Sequence, residues 1–162
     1  DLAYDLLLQH KNPSWLYSVD NGATTVWERW DSFKAGEGFN KHEWNMNSFN
    51  HYAYGVIAEW MFRDMLGMSP DHEDPGFHKI VLSPKPDMRT DDQIPAGQKR
   101  IDWARGSIPT PYGTITSSWE RGKDGKIKYS FIIPYNTTAT FTQLHEDGTT
   151  ETHELTAGKW NF

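Results

Sequence analysis

At 162 residues the chain is long enough for one ordinary domain or parts of two, and its formal net charge of −6, with no basic stripe, argues against a nucleic-acid partner. The absence of cysteine removes disulfides, thiolate nucleophiles and cysteine-held zinc, and no apolar run nears the roughly 18 residues that a membrane span needs. Eight Trp, seven Tyr and eight Phe, set against few aliphatic runs, suit a protein that handles carbohydrate.

Residues 2–10 carry helix formers, with Leu2, Leu6 and Gln9 or Ala3, Leu7 and His10 at helical spacing, and Asn12-Pro13 ends this first predicted helix. The helix opens on Asp1 with no cap signal or leading loop. The sequence is therefore expected to be cut from something larger, with these residues as the tail of a helical domain, and neither a targeting signal nor the compartment is legible. From Ser14 to Glu43 the chain is turn-rich, with Gly22, Gly36 and Gly38, and predicts a long loop of the kind that carries function. Within it, Gly22-Ala-Thr-Thr-Val-Trp-Glu-Arg-Trp-Asp31 sets Glu28 between two indoles. A carboxyl beside indoles loses water on one side, which suits acid/base work, and an indole gives a sugar ring a flat apolar face. The same residues are equally explained by Trp27 and Trp30 as core anchors and Glu28 as a surface acid paired with Arg29.

The clearest predicted helix begins near Asn47 or Ser48 as N-cap, carries Phe49, Ala53, Val56 and Trp60 on one face, and closes at Gly67. Glu59 and Arg63 add an i,i+4 pair on its outer face. Polar and aromatic residues crowd the start of this helix, from Trp44 to Gly55. Asn47, Asn50 and His51 lie there beside free N–H groups and so are placed to bind hydroxyls, although a helical His that merely satisfies its own neighbours explains His51 too.

After Met68 a polar, proline-punctuated break sets a domain boundary near residue 70, dividing the chain into 1–70 and 71–162. A strand follows from Phe77, then strands at about 101–108 and 114–121, and a period-two run at Ile127, Tyr129, Phe131 and Ile133. Asp124-Gly125 and Asp147-Gly148 are hairpin signals, and short strands joined by turns predict an antiparallel β-sandwich. The layout is helical first and β second, with no internal repeat.

Other chemistries lack their signatures. His42, His51, His72 and His78 lie near acids, but there is no His-Glu-x-x-His helix and no EF-hand loop, so no metal is expected. Gly-x-Ser-x-Gly is absent, Gly36-Glu-Gly38 is too short for a dinucleotide fingerprint, and the sequon at Asn136-Thr-Thr138 is assigned no role.

The two polar-aromatic clusters, Gly22-Ala-Thr-Thr-Val-Trp-Glu-Arg-Trp30 and Met46-Asn-Ser-Phe-Asn-His-Tyr-Ala-Tyr-Gly55, in this order resemble the bacterial α-L-rhamnosidases. So does the stretch that follows, with Pro75-Gly76-Phe77 leading into a strand, then Thr110-Pro-Tyr-Gly113 and Trp119. The resemblance implies the last helices of an (α/α)6 barrel followed by an antiparallel β-sandwich that covers it. It also implies hydrolysis of terminal α-L-rhamnose with inversion and without a cofactor, for which the two carboxyl groups stand about 6.5–9.5 Å apart to admit a water. In that scheme Glu28 matches the general base and His51 a residue that contacts rhamnose. Trp27, Trp30 and Asn50 are walls or hydroxyl partners of the sugar pocket, with Trp27 equally placed in the core. The general acid would lie on an earlier barrel segment that this sequence does not contain. The expected partners are therefore rhamnose-containing glycosides and the remainder of the protein's own barrel. An (α/α)6 glycosidase for another sugar is the nearest alternative. A non-catalytic carbohydrate-binding β-sandwich is the other, but the strands predict no exposed row of Trp and Tyr to match the helical cluster.

Overall fold

The computed structural model describes residues 1–39, 46–145 and 147–162. His42, Glu43 and Trp44, which the sequence analysis drew on, lie outside the described residues. Helix α1, Leu2–Leu7, ends at Leu8, well before Asn12-Pro13. A second helix, α2, Trp15–Asp20, occupies the start of what the sequence predicted as loop. Ser14 makes it possible: its Oγ accepts the Tyr17 N–H at 3.0 Å and satisfies one of the open donors of the first turn. The Tyr17 hydroxyl then donates to Phe33 O (3.2 Å) and accepts from the Ala35 N–H (3.1 Å), tying α2 to the small hairpin of β1, Phe33–Lys34, and β2, Gly38–Phe39.

The helix predicted from Asn47 or Ser48 starts later. A 3-10 turn at Ala53–Gly55 leads into α3, Val56–Trp60, and a π-helical turn at Met61–Met65. The reason lies in the backbone before it: a helix begun at Ser48 needs Ser48 O and Phe49 O to accept amides four residues on, but Ser48 O accepts the Glu28 N–H, Phe49 O accepts from Thr25 Oγ1, and the Ala53 N–H goes to His51 Nδ1. Asn47 and Ser48 are thus not helix caps. Gly67 does end the run, at φ +70, and a Cβ there would meet Pro84 N at 2.1 Å. The exposed Glu59–Arg63 pair is present at 3.4 Å. Among the described residues no helix is long and apolar enough to cross a membrane.

The chain forms two units, Asp1–Ala58 with Arg89–Arg100, and Glu59–Met88 with Ile101–Phe162. In the first, the returning segment is clasped by a buried guanidinium. Arg89 donates to Asp5 Oδ1 (2.6 Å) and Gln98 Oε1 (3.2 Å) and lies over the Tyr4 ring, while Gln98 Nε2 donates to Asp5 O.

The second unit holds β3, Met68–Pro70, β4, Lys79–Leu82, β5, Trp103–Thr110, β6, Gly113–Arg121, β7, Ile127–Ile133, β8, Thr138–Leu144, β9, Thr150–Leu155, and β10, Gly158–Asn161. They form two four-stranded sheets, ordered β10-β7-β6-β5 and β3-β4-β8-β9. The predicted period-two run is β7, and its Tyr129, Phe131 and Ile133 are buried. Phe131 and Tyr129 meet Phe141 of β8 at 4.7 and 5.2 Å between ring centroids, so side chains of both sheets share one core. Both Asp-Gly pairs turn with glycine at positive φ, Gly125 at 85° and Gly148 at 82°. One pair departs from the all-antiparallel expectation: β4 and β8 run parallel, because the chain leaves β4 to build β5, β6 and β7 before it returns. The last helical carbonyls also find partners here, with Trp119 Nε1 donating to Met65 O (2.8 Å) and Ser117 Oγ to Leu66 O (2.7 Å).

Burial raises the Tyr129 phenol to about 12, against a smaller pull downward from the Arg121 charge. An unfolded chain loses the same proton near pH 10. The native state therefore keeps a proton that the unfolded state gives up, and this contribution is intact below about pH 10 and lost by roughly 1.4 kcal/mol per pH unit up to about pH 12. Urea titrations at stepped alkaline pH are expected to show that loss, and Tyr129→Phe to remove this part of it.

Candidate active site

Glu28 sits on a backbone lacing between its own segment and residues 48–51. Its N–H donates to Ser48 O (2.9 Å), and the Ser48 N–H returns a bond of 2.5 Å to Glu28 Oε2. Three residues on, the His51 N–H donates to Val26 O (2.8 Å), and Thr25 Oγ1 donates to Phe49 O. The two clusters that stood some twenty residues apart in the sequence are thus one local structure. The half-buried Glu28 carboxylate is held through one oxygen, and Oε1 has no partner among the described residues.

His51 is oriented from the other end of the lacing. Its Nδ1 accepts the Ala53 N–H at 3.2 Å, and its ring stacks on Tyr52 with an interplanar angle of 5°. An accepting Nδ1 places the proton of the neutral imidazole on Nε2, which makes that nitrogen a donor. Asn50 is exposed beside it, its N–H bound to Ser48 Oγ at 3.1 Å.

The indoles go elsewhere. Trp27 is only 6% exposed and packs edge-on against Phe49 (5.8 Å) and Phe39 (6.4 Å) and at a tilt against Phe33 (6.3 Å). Trp30 stacks on Tyr54 at 3.9 Å and meets Trp15 edge-on at 5.4 Å, while Trp15 Nε1 donates to Tyr54 O. Both indoles line a cavity of 270 Å³ with Trp15, Val26 and Tyr54, which Glu28 and His51 do not line. The carboxylate flanked by indoles in sequence is therefore not flanked by them in one pocket, because successive side chains of this segment leave the backbone in different directions.

Ser32 was missed as a part of the site, and Asn47, read from the sequence as a hydroxyl-binding residue, spends its Oδ1 on Ser32. Ser32, fully buried, donates from Oγ to Asn47 Oδ1 (2.9 Å) and accepts the Arg29 N–H (3.3 Å), closing the turn after Glu28 onto the second segment. Asn47 Nδ2 is buried without a partner among the described residues. The sequence signal was the Ser three residues after Arg29, a spacing at which a hydroxyl reaches back to a backbone N–H. Arg29 itself donates to Met46 O (3.3 Å). Among the described residues there is no group of three His, Cys, Asp or Glu that could hold a metal ion. His78 instead pairs with Asp74 at 2.9 Å.

Residues 1–65 match the family model described as the bacterial alpha-L-rhamnosidase 6 hairpin glycosidase domain, and residues 67–157 match that of the bacterial alpha-L-rhamnosidase C-terminal domain. An alpha-L-rhamnosidase of Alteromonas sp. (strain LOR) is 45% identical over 141 residues, which are 87% of this chain and 14% of that protein. One from Streptomyces avermitilis is 37% identical over 155 residues, 94% of this chain and 14% of that protein. Among solved structures, the Streptomyces avermitilis alpha-L-rhamnosidase complexed with L-rhamnose gives a TM-score of 0.80 at 33% identity, covering 99% of this chain and 16% of that one. The native enzyme from Aspergillus terreus gives 0.74 at 30% identity, covering 96% and 16%. The chain thus spans about 14% of the length of these curated relatives.

Ser32→Ala removes the donor to Asn47 Oδ1 and the acceptor of the Arg29 N–H in a buried place. It is expected to destabilise the fold by roughly 1–3 kcal/mol, read as a lower urea midpoint at unchanged slope.

Proposed function

Because the chain belongs to the bacterial α-L-rhamnosidase family, we propose that it is the closing part of an inverting hydrolase that releases terminal α-L-rhamnose from glycosides. In this reading residues 1–70 supply the last helices of an (α/α)6 barrel and residues 71–162 the β-sandwich that follows it. Glu28 is the general base. The observation that carries this is the asymmetric hold on its carboxylate: the Ser48 N–H fixes Oε2, which leaves Oε1 to accept a proton from the attacking water. A base that must act in one direction gains from being aimed by a backbone donor rather than by a mobile side chain.

His51 Nε2 is then the donor to a hydroxyl of the bound sugar, and the bond of its own N–H to Val26 O together with the Ala53 amide keeps its ring from turning away. Asn50, exposed next to it, is a second hydroxyl partner, while Trp30 lines a cavity that Glu28 and His51 do not line and holds Tyr54 by stacking. Trp27 acts through packing, by anchoring the segment that carries Glu28. The general acid comes from an earlier part of the barrel, so that the water stands between two carboxyl groups about 6.5–9.5 Å apart. No cofactor enters the reaction.

In the whole enzyme, Glu28→Gln keeps an acceptor for the Ser48 N–H but cannot take a proton. We expect kcat to fall by about 10²–10⁴-fold with KM nearly unchanged, measured as rhamnose release, and near-normal turnover would remove Glu28 from this role. The 162-residue chain alone is expected to release no rhamnose. Detectable release by the purified chain would show that it carries its own acid.

A further inference from the structure

The sequence predicted no exposed aromatic row on the strands, yet Trp103 is 67% exposed at the start of the edge strand β5. It borders a concave groove of 480 Å³ on the outward face of the sheet β10-β7-β6-β5, a volume within the range of ligand sites. Strand register lays out that face in rungs. Trp103 stands opposite Glu120, which stands opposite Lys128. The next rung runs Arg105, Ser118, Ser130, Asn161, and Lys159 opens the one after it from β10.

Three properties of this grid point to one class of ligand. The indole is two-thirds exposed and presents a flat face. The floor beside it is hydroxyl-bearing, with Ser118 and Ser130 on adjacent strands. Around that floor stand three exposed cations, Arg105, Lys128 and Lys159, against Glu120 as the one acidic side chain that lines it, a local side-chain charge of +2 (three minus one) where the side chains of the whole chain total −6. None of the three cations has an ion-pair partner within 4.0 Å among the described residues. A neutral glycan would use the indole and the hydroxyls but leave the cations idle. A nucleic acid brings a charge at every residue and would meet Glu120 in the middle of the face. A saccharide with carboxylates set among hydroxyls fits all three properties.

We propose that this sheet face binds a uronate-bearing oligosaccharide, with Trp103 stacked on a sugar ring and Arg105 and Lys128 pairing with carboxylates. The site shares no residue with Glu28 or His51, and the proposal does not rest on the hydrolase reading. Binding to the cations is electrostatic and near the surface, so it weakens as salt is raised. Arg105 presents a planar fork suited to a carboxylate, which Lys cannot replace in kind.

The test is isothermal titration of the intact 162-residue chain with a short oligogalacturonate, alongside indole ¹H–¹⁵N spectra in which Trp103→Phe assigns the Trp103 peak. Supporting results are a shift confined to that peak, an affinity lowered about tenfold or more by Trp103→Ala and by Lys128→Glu, and a loss of affinity with salt. Unchanged thermal melting of both variants, whose side chains are exposed, separates lost binding from lost fold. No binding at millimolar saccharide overturns the proposal. So does equal affinity for a neutral oligosaccharide of the same length or for oligothymidylate, or a concentration-dependent dimer that Trp103→Ala dissolves. Protection of the Trp103 indole from acrylamide quenching in the longer enzyme, which would mean that another part of it covers the face, counts equally against it.

Discussion

The first unit depends on the reciprocal bond between Glu28 and Ser48. A backbone N–H of one segment meets a backbone carbonyl of the other, and the second segment returns its own N–H to the Glu28 side chain. A side-chain carboxylate thereby stands where a strand would place a carbonyl, and a charge-assisted bond replaces a ladder rung. With His51 bound to Val26 O and Thr25 to Phe49 O, residues 48–51 are spent on this lacing, and the helix is delayed to Ala53. The same bonds that fix the carboxylate also decide where helix begins. That is why the predicted N-cap at Asn47 or Ser48 failed: Ser48 Oγ does accept the Asn50 N–H as a cap would, but the Ser48 carbonyl that should take the first helical bond is held by the Glu28 N–H twenty residues away.

Much of the second unit was legible because its signals are local. Tyr129, Phe131 and Ile133 alternate with exposed or half-buried neighbours, and period two is sufficient to assign a half-buried strand. Asp-Gly at 124 and 147 reads directly as a turn that needs positive φ. The parallel β4–β8 pair was not legible, since it is set by the order in which the chain visits two sheets and not by any residue of either strand. β3 was hidden by Pro70, which ends an edge strand without the polar alternation that would announce it. Helix α2 is a different case: Ser14 before an apolar run is a readable cap, and a turn-rich composition downstream outweighed it.

The candidate site was legible as two clusters and not as a geometry. Residue type alone marks Glu28 and His51, because a carboxylate and an imidazole among aromatics are chemically suggestive wherever they stand. Their surroundings depend on side-chain direction. Trp27 turns into the phenylalanine cluster and Trp30 onto Tyr54, and neither outcome follows from sitting beside Glu28 in the chain. Ser32 and Asn47 show the same limit, since the bond between them appears only when the two segments lie together, and the sequence offered Asn47 only as a cap or a hydroxyl partner.

The clasp at Arg89 extends this dependence across the chain. Helix α1 has six residues, too few to persist by its own hydrogen bonds in water. What holds it is tertiary: Tyr4 and Leu7 are buried, and the Asp5 carboxylate meets a guanidinium that lies more than eighty residues later. Arg89 is wholly buried, so losing the Asp5 carboxylate from among its partners costs more than losing an exposed pair. The first unit is accordingly not a continuous stretch of chain. A division at residue 70 follows the change from helix to strand, and the segment 89–100 returns across it to hold the N-terminal helix through Asp5.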